Sequence, residues 1–400
     1  MLAGAPSQSE PSGAAAPGMG VLALVGSHLA MVPAGASQAL YGPSMPELAV
    51  RYGLGSGELG LIIAAHSLGT VAGIGAWVVA GSRPHPGSLS GSGAGLLGLG
   101  LLTIALAPTW ALTLVGASLV GAGFGSTVVA INMWSTRAYD RHRVTVLSTL
   151  AAAFGVGAVT GPTVVGAVGP ARFGVGFATF GMVAIAAAVA LLAAGKVGQP
   201  VPAVRAAPLA AGSRAPLIAA FMVTLGLYVG LEAGIGGWLA THQVGLGVEP
   251  ATAARWTAGF WVTFTLGRAL GAPLAYRLPE RRLVPVLMGS SALAMAVAAI
   301  PGVSVIGYLA AGFAIALIFP ALLSWFTRVF GQPPIAVALL FLSGSVGAGV
   351  LPPVIGVLID RLGVVAAPVS LAVIAGTGCA LALGLARVLA PARQAPAPQG

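Results

Sequence analysis

Apolar residues run along this chain in blocks of about twenty, broken by short polar, proline-rich or glycine-rich stretches, and within a block they occupy nearly every face. Residues 183–194 and 291–300 show the pattern: no polar stripe divides them. A helix needs about 20 such residues, at 1.5 Å each, to cross the hydrocarbon of a bilayer. Cutting the chain at its charges and turn residues predicts twelve spans, at 19–41, 57–80, 93–107, 111–134, 146–168, 174–194, 216–239, 252–276, 283–300, 303–327, 335–358 and 364–389. A closed barrel is excluded, because its strands alternate polar and apolar positions over about ten residues. The first block, with small residues behind it at 33–37, resembles a secretory leader. No Lys or Arg precedes it, so it reads as an uncleaved first span behind a disordered tail, residues 1–18.

Composition sharpens the picture. The 400 residues are 57% hydrophobic and 6% charged, with a mean hydropathy of +0.98. Soluble chains carry about 25% charged residues. A net charge of +10 would in a soluble protein point to nucleic acid. Here the positions of the charges give them another meaning. With a cytoplasmic N-terminus, thirteen Lys and Arg fall in inner connections and four (Arg51, Arg172, Arg255, Arg361) in outer ones. That asymmetry is the positive-inside rule at work, and it predicts a multi-pass protein of the plasma (inner) membrane with both termini cytoplasmic. Trp77, Trp110, Trp134, Trp238, Trp256 and Trp325 fall near predicted span ends, where indoles favour the headgroup level; Trp261 lies deep in the eighth span. The single Cys379 excludes an intrachain disulfide.

The spans divide six and six around residues 195–214, a stretch with Pro, Gly and Arg that reads as a cytoplasmic linker between bundles at 19–194 and 215–389; residues 390–400 read as a second tail. A repeat supports the division. Gly157-Ala158, Pro162, Val164 and Gly166 recur as Gly347-Ala348, Pro352, Val354 and Gly356, an offset of 190. Leu68-Gly69 and Gly73 recur as Leu266-Gly267 and Gly271, an offset of 198. The expected fold is therefore all-α and integral to the membrane, with two six-helix bundles related by a pseudo-two-fold axis and a solute site near the midplane between them.

Several segments carry a resemblance. They are residues 41–47 through 60–63 at the first outer connection, the 121–126 glycine run with Asn132 in span four, and Tyr228 to Trp238 in span seven. Residues 266–271 in span eight, 318–323 in span ten and 347–363 in span eleven complete the set. With them the chain resembles the major facilitator superfamily over nearly its whole length, and within it the branch of fucose and other sugar permeases. The resemblance implies the major facilitator fold and solute transport by alternating access. Two departures bear on mechanism. The family's loop between spans two and three reads G-x-x-x-D-R-x-G-R, but residues 75–84 hold no acid. Sugar permeases often carry an acid four residues before the span-four asparagine, where this chain has Val128.

An ionisable group placed in hydrocarbon costs about 2.5–3.5 kcal/mol on insertion scales, so it faces the bundle interior or a wet cavity. Glu232 is the one acid deep in a span, with Tyr228 one turn before it and Gly230, Gly234, Gly236 and Gly237 around it. It reads as the proton-coupling group, or else as a packing hydrogen bond; the glycines permit a bent or broken helix lining a cavity. Arg268 binds an anionic group, or snorkels to the inner surface. A count along the helices places it nearer that surface than Glu232. Asn132, with Ser135 and Thr136 one turn on, is a candidate for a hydroxylated solute or for interhelical bonding. His28, His66 and Gln38 have the same two readings, and Trp261 with Tyr228 forms either a platform for a sugar ring or core packing. The charged connections at 137–143 and 277–282 read as solvated anchors, with salt bridges to Asp140 and Glu280 as the alternative.

The expected function is secondary transport of a small solute, of the proton-coupled sugar-import type, by a monomer that needs neither cofactor nor metal. Efflux of drugs or metabolites on the same fold is the alternative, favoured by the sparse polar lining. No G-x-x-x-x-G-K-[ST] loop surrounds Lys196, the sole lysine, so the chain does not bind ATP in that manner. A membrane-embedded enzyme is remote, since no H-E-x-x-H or G-x-S-x-G motif occurs. A receptor without transport is as remote.

Overall fold

A computed structural model describes residues 19–80, 85–139, 142–195, 215–331 and 334–389. The expected tails, all but the first residue of the expected linker, and the charged residues Arg83, Asp140 and Arg141 lie outside the described residues. Among the described ones the helices of the first half are α1 (Val21–Ala39), α2 (Tyr41–Tyr52), α3 (Ser56–Ala80), α4 (Pro86–Leu106), α5 (Trp110–Ala138), α6 (Arg143–Val168) and α7 (Phe173–Ala194). Those of the second are α8 (Ala215–Gly245), α9 (Pro250–Arg277), α10 (Glu280–Ala298), α11 (Ser304–Ile315), α12 (Ile318–Phe330), α13 (Pro334–Leu362) and α14 (Ala366–Val388). Among the described residues eleven segments are long and apolar enough to cross a bilayer, with α11 and α12 counting as one. The twelfth is α9, whose apolar run is interrupted by Arg255 and Arg268; it packs against α6, α8 and α11 like its neighbours.

Three elements depart from the sequence expectation. The outer connection after span one is largely helical, as α2, which ends on Gly53 at φ 65°, a left-handed cap that glycine adopts without strain. Span three begins at Pro86 rather than residue 93, because the small residues that looked like a loop pack a helix closely. Ser90 returns its hydroxyl to the Pro86 carbonyl, and Gly91 lies against Leu192 of α7. Span ten is divided at Ala316–Leu317, and Pro320 falls in the first turn of α12, where its missing N–H costs nothing. The glycine run of α8 does not break it: the helix is continuous over 31 residues. Its glycines serve contact instead, Gly230 against Leu351 and Gly347 of α13, and Gly237 against Ile63 of α3.

The repeat seen in the sequence marks equivalent contacts. A side chain at Gly157 of α6 would strike the Val32 carbonyl of α1; one at Gly347 of α13 would strike the Gly226 carbonyl of α8. Gly69 and Gly73 of α3 meet Ser118 and Ala122 of α5, and Gly267 and Gly271 of α9 meet Phe313 of α11 and Leu317 beyond it. Each half thus sets its fifth span on its first and its second on its fourth, as the pseudo-two-fold axis requires. Between the halves, Gly166 of α6 meets Ala251 and Arg255 of α9, while Gly356 of α13 meets Ser56 of α3.

These seams, α3–α13 and α6–α9, hold the halves together, with α2 laid against α8. Their glycine contacts run from the face away from the termini to Gly349–Ser67 and Gly155–Thr265, near mid-depth. The close contacts between the halves are thus gathered from mid-depth to the face away from the termini.

Two side-chain expectations change. Trp238 and Trp325 are core residues: the Trp238 indole donates to the Pro352 carbonyl at 3.0 Å, and Trp325 packs edge-on to Phe221. Glu280 pairs at 2.6 Å with Arg328 of α12 and accepts from Ser324, so its partner comes from another helix and not from the 277–282 cluster. Outside the spans, the backbone amides of Ala251 and Thr252 hold the Glu249 carboxyl below the usual carboxylate range as it caps α9.

Candidate functional site

The polar side chains of the spans form two clusters, one in each half. The first belongs to the N-terminal half. Gln38, near the end of α1, and Tyr41, at the start of α2, both reach His66 of α3: Gln38 Nε2 lies 2.8 Å from His66 Nε2, and Tyr41 Oη lies 3.0 Å from His66 Nδ1. With the amide nitrogen facing the ring, His66 Nε2 accepts and Nδ1–H donates to the tyrosine oxygen. Both ring nitrogens are then engaged within this half. The amide oxygen of Gln38 and the hydroxyl hydrogen of Tyr41 are left for a further partner. Gly121 of α5, whose missing side chain lets it approach the His66 carbonyl, and the Phe124 ring at 5.5 Å fix the imidazole from behind.

Gln38, Tyr41, His66 and Ser67 line one side of a small cavity of about 40 Å³. The opposite side is made by Ala233 and Gly237 of α8 and Ala348 of α13, small residues that leave the polar edge facing a smooth wall. Tyr41 and Ser67 had not been singled out from the sequence. Tyr41 sits where span one was expected to end, and only the direct succession of α2 on α1 keeps it beside Gln38.

The second cluster belongs to the C-terminal half and adjoins Ala233. Tyr228 donates its hydroxyl to Glu232 Oε2 at 2.5 Å, one turn along α8. From α9, the Arg268 guanidinium stacks 4.6 Å over the Phe264 ring and acts electrostatically on both Glu232 and the Tyr228 hydroxyl. Arg268 is exposed rather than buried, in the half of α9 nearer the terminus face. The depth count separated it from Glu232. Tyr228 closes that gap: it lies about 6 Å lower on α8 than Glu232, and the long arginine side chain covers the rest. Trp261, two turns above Arg268, is 3% exposed and lies against Gly236; its indole N–H has no partner among the described residues.

Two candidates lie apart. His28, about 15 Å down α1 from Gln38, bonds through Nδ1 to the Leu24 carbonyl and through Nε2 to Thr149 of α6, both at 2.9 Å. It faces an open groove of about 510 Å³ whose other walls are apolar, among them Leu24, Leu29 and Val156. Asn132 donates its side-chain amide to the Val128 carbonyl of its own helix at 2.7 Å, and its backbone carbonyl accepts from the Thr136 hydroxyl. No group of three or more His, Cys, Asp or Glu side chains suited to a metal occurs among the described residues.

Comparison with known proteins agrees with this architecture. The sequence profile of the Major Facilitator Superfamily matches residues 28–333. No curated protein matches the sequence. Among solved structures, a mutant form of the peptide transporter POT superposes with a TM-score of 0.77 at 15% identity, over 94% of this chain and 97% of that one. A bacterial homologue of the human lysosomal transporter Spinster, in an inward-facing and occupied conformation, gives 0.76 at 15% identity over 94% and 98%. The transporter FucP in its outward conformation gives 0.63 at 17% identity over 92% and 98%.

Proposed function

The chain belongs to the Major Facilitator Superfamily, and from that premise we propose that it imports a small hydroxylated solute of the sugar type across the plasma membrane, with a proton taken up and released at Glu232. That it is a membrane transporter of a solute, and no enzyme, follows from the family and the fold. The finer reading is supported by one observation: the only acid deep in a span is held by a hydroxyl and lies within the field of a guanidinium, and the residue next to it, Ala233, lines a small cavity with a set of neutral hydrogen-bonding groups.

Each part has a role in this reading. The charged Glu232 is kept in a low-dielectric site by the Tyr228 hydroxyl and the Arg268 guanidinium. A proton on Glu232 removes that charge, frees Arg268 and Tyr228 from it, and so alters what the wall offers a solute. In the N-terminal half Gln38 supplies an acceptor and Tyr41 a donor, the pattern that hydroxyl groups satisfy. Ala233 and Gly237 admit a ring face, and Trp261 supplies an indole N–H and an aromatic edge. His66 is read here as the residue that orients Gln38 and Tyr41. His28 and Asn132 are given no place in this reading, since both ring nitrogens of His28 are engaged by Leu24 and Thr149 and the side-chain amide N–H of Asn132 by its own helix. The terminus face is taken as cytoplasmic, on the strength of the thirteen-to-four distribution of basic residues.

Efflux of an apolar drug or metabolite is the second reading, favoured by the open apolar groove beside His28. Flux separates the two. In proteoliposomes with an inward proton gradient, a labelled sugar should accumulate, and Glu232→Gln should abolish accumulation while leaving sugar exchange at equal concentrations intact. Accumulation that survives Glu232→Gln refutes coupling at this residue. Raised drug resistance in cells, without sugar uptake in vesicles, refutes import.

A further inference from the structure

On the face away from the termini, the amides that open α3 are satisfied from across the seam. The first N–H groups of a helix have no partner within it. Gly55 N–H donates to Glu58 of the same helix, but Ser56 and Gly57 N–H donate to Oδ1 and Oδ2 of Asp360, on α13, at 2.7 and 2.8 Å. A carboxylate of the C-terminal half thus sits on the positive end of a helix of the N-terminal half. The backbones around it are flush. Gly356 lies against Ser56, and Gly60 against Pro353, with no room for a side chain at either glycine.

The pseudo-two-fold axis provides an internal comparison. The position 190 before Asp360 is Pro170, which has no carboxylate to offer. On that seam the first amides of α9 are taken by Glu249, from the same half. Of the two equivalent seams, one is crossed by a carboxylate and the other is not.

We infer that Asp360 is a latch on alternating access: it holds the seam on this face shut, and it gives its two amides back to water each time the seam opens. The inference rests on the transport reading, because a molecule with one fixed arrangement has no use for a latch. The contact is exposed to water, so its weight is that of a surface charge at a helix end, a change of about two- to fivefold in the ratio of open to shut molecules.

Spin labels at Val50→Cys on α2 and Val369→Cys on α14, both exposed positions, in a Cys379→Ser background, measure the separation of the halves at this face in lipid nanodiscs. Asp360→Ala should raise the long-distance population about two- to fivefold. Ser56→Pro removes one of the two donors at a position where proline suits a helix start, and should raise it by less. Combining the two should add nothing to Asp360→Ala alone. Asp360→Asn keeps the shape and one acceptor oxygen, should fall between wild type and alanine, and replaces alanine if that variant does not fold. An unchanged distribution in the Asp360 variants, or full additivity with Ser56→Pro, overturns the latch. One fixed distance in every variant and at every solute concentration overturns alternating access itself.

Discussion

His66 illustrates how a residue's surroundings decide its role. As a histidine at mid-depth it invites reading as a solute ligand. With Nε2 facing the Gln38 amide and Nδ1 facing the Tyr41 hydroxyl, it instead aligns two neighbours towards the cavity. Removing the Tyr41 hydroxyl leaves a buried imidazole N–H without its acceptor, a cost of about 1–3 kcal/mol. Tyr41→Phe is therefore expected to lower the melting temperature by several degrees. It should also raise the KM for the transported solute severalfold, and leave the dependence of uptake on the proton gradient unchanged. Loss of that dependence would place Tyr41 in the proton path and contradict the division of labour between the two clusters. The sequence showed Gln38, His66, Tyr228 and Glu232 as candidates because polar groups in an apolar block stand out. It did not show what Tyr41 or Asp360 would contact, because each sits at an expected span end, where polar residues are ordinary.

Helices in a bilayer gain little from burying apolar surface against one another, so their contacts depend on small residues that let backbones approach. Gly121 of α5 is such a point, with the His66 carbonyl where its side chain would be. Gly121→Val is expected to push α5 off α3 and displace His66. Its purified yield as a single monodisperse species should collapse, whereas Gly376→Val on α14, where a side chain meets open space, should leave yield and melting temperature unchanged. Equal behaviour of the two variants would refute the packing argument. The twelve spans were legible because apolar length has one explanation in a membrane protein. The extension of span three, the helical nature of α2 and the division of span ten were not, because Gly, Ser and Pro read as turn residues until a neighbouring helix accounts for them.

At the scale of the molecule, two six-helix halves meet along α3–α13 and α6–α9, with their closest contacts towards the face away from the termini. The distribution of arginines predicts that the terminus face is cytoplasmic. A fluorescent protein fused after residue 400, of a kind that matures only in the cytoplasm, should be bright, and alkaline phosphatase inserted after Gly247 should be active. The reverse pattern would turn the molecule over and make the closed face the inner one. The sequence by itself determined that the chain spans a membrane twelve times, in two related halves, and which few polar groups its interior holds. Hydrophobic length, charge placement and a glycine repeat are local properties, readable one segment at a time. Which of those polar groups meet was decided only by the tertiary structure. Consecutive helices bring Arg268 within the field of Glu232, and helices distant in the chain bring Asp360 onto the first turn of α3; such pairings depend on how helices rotate and lean in the bundle, which no single span encodes.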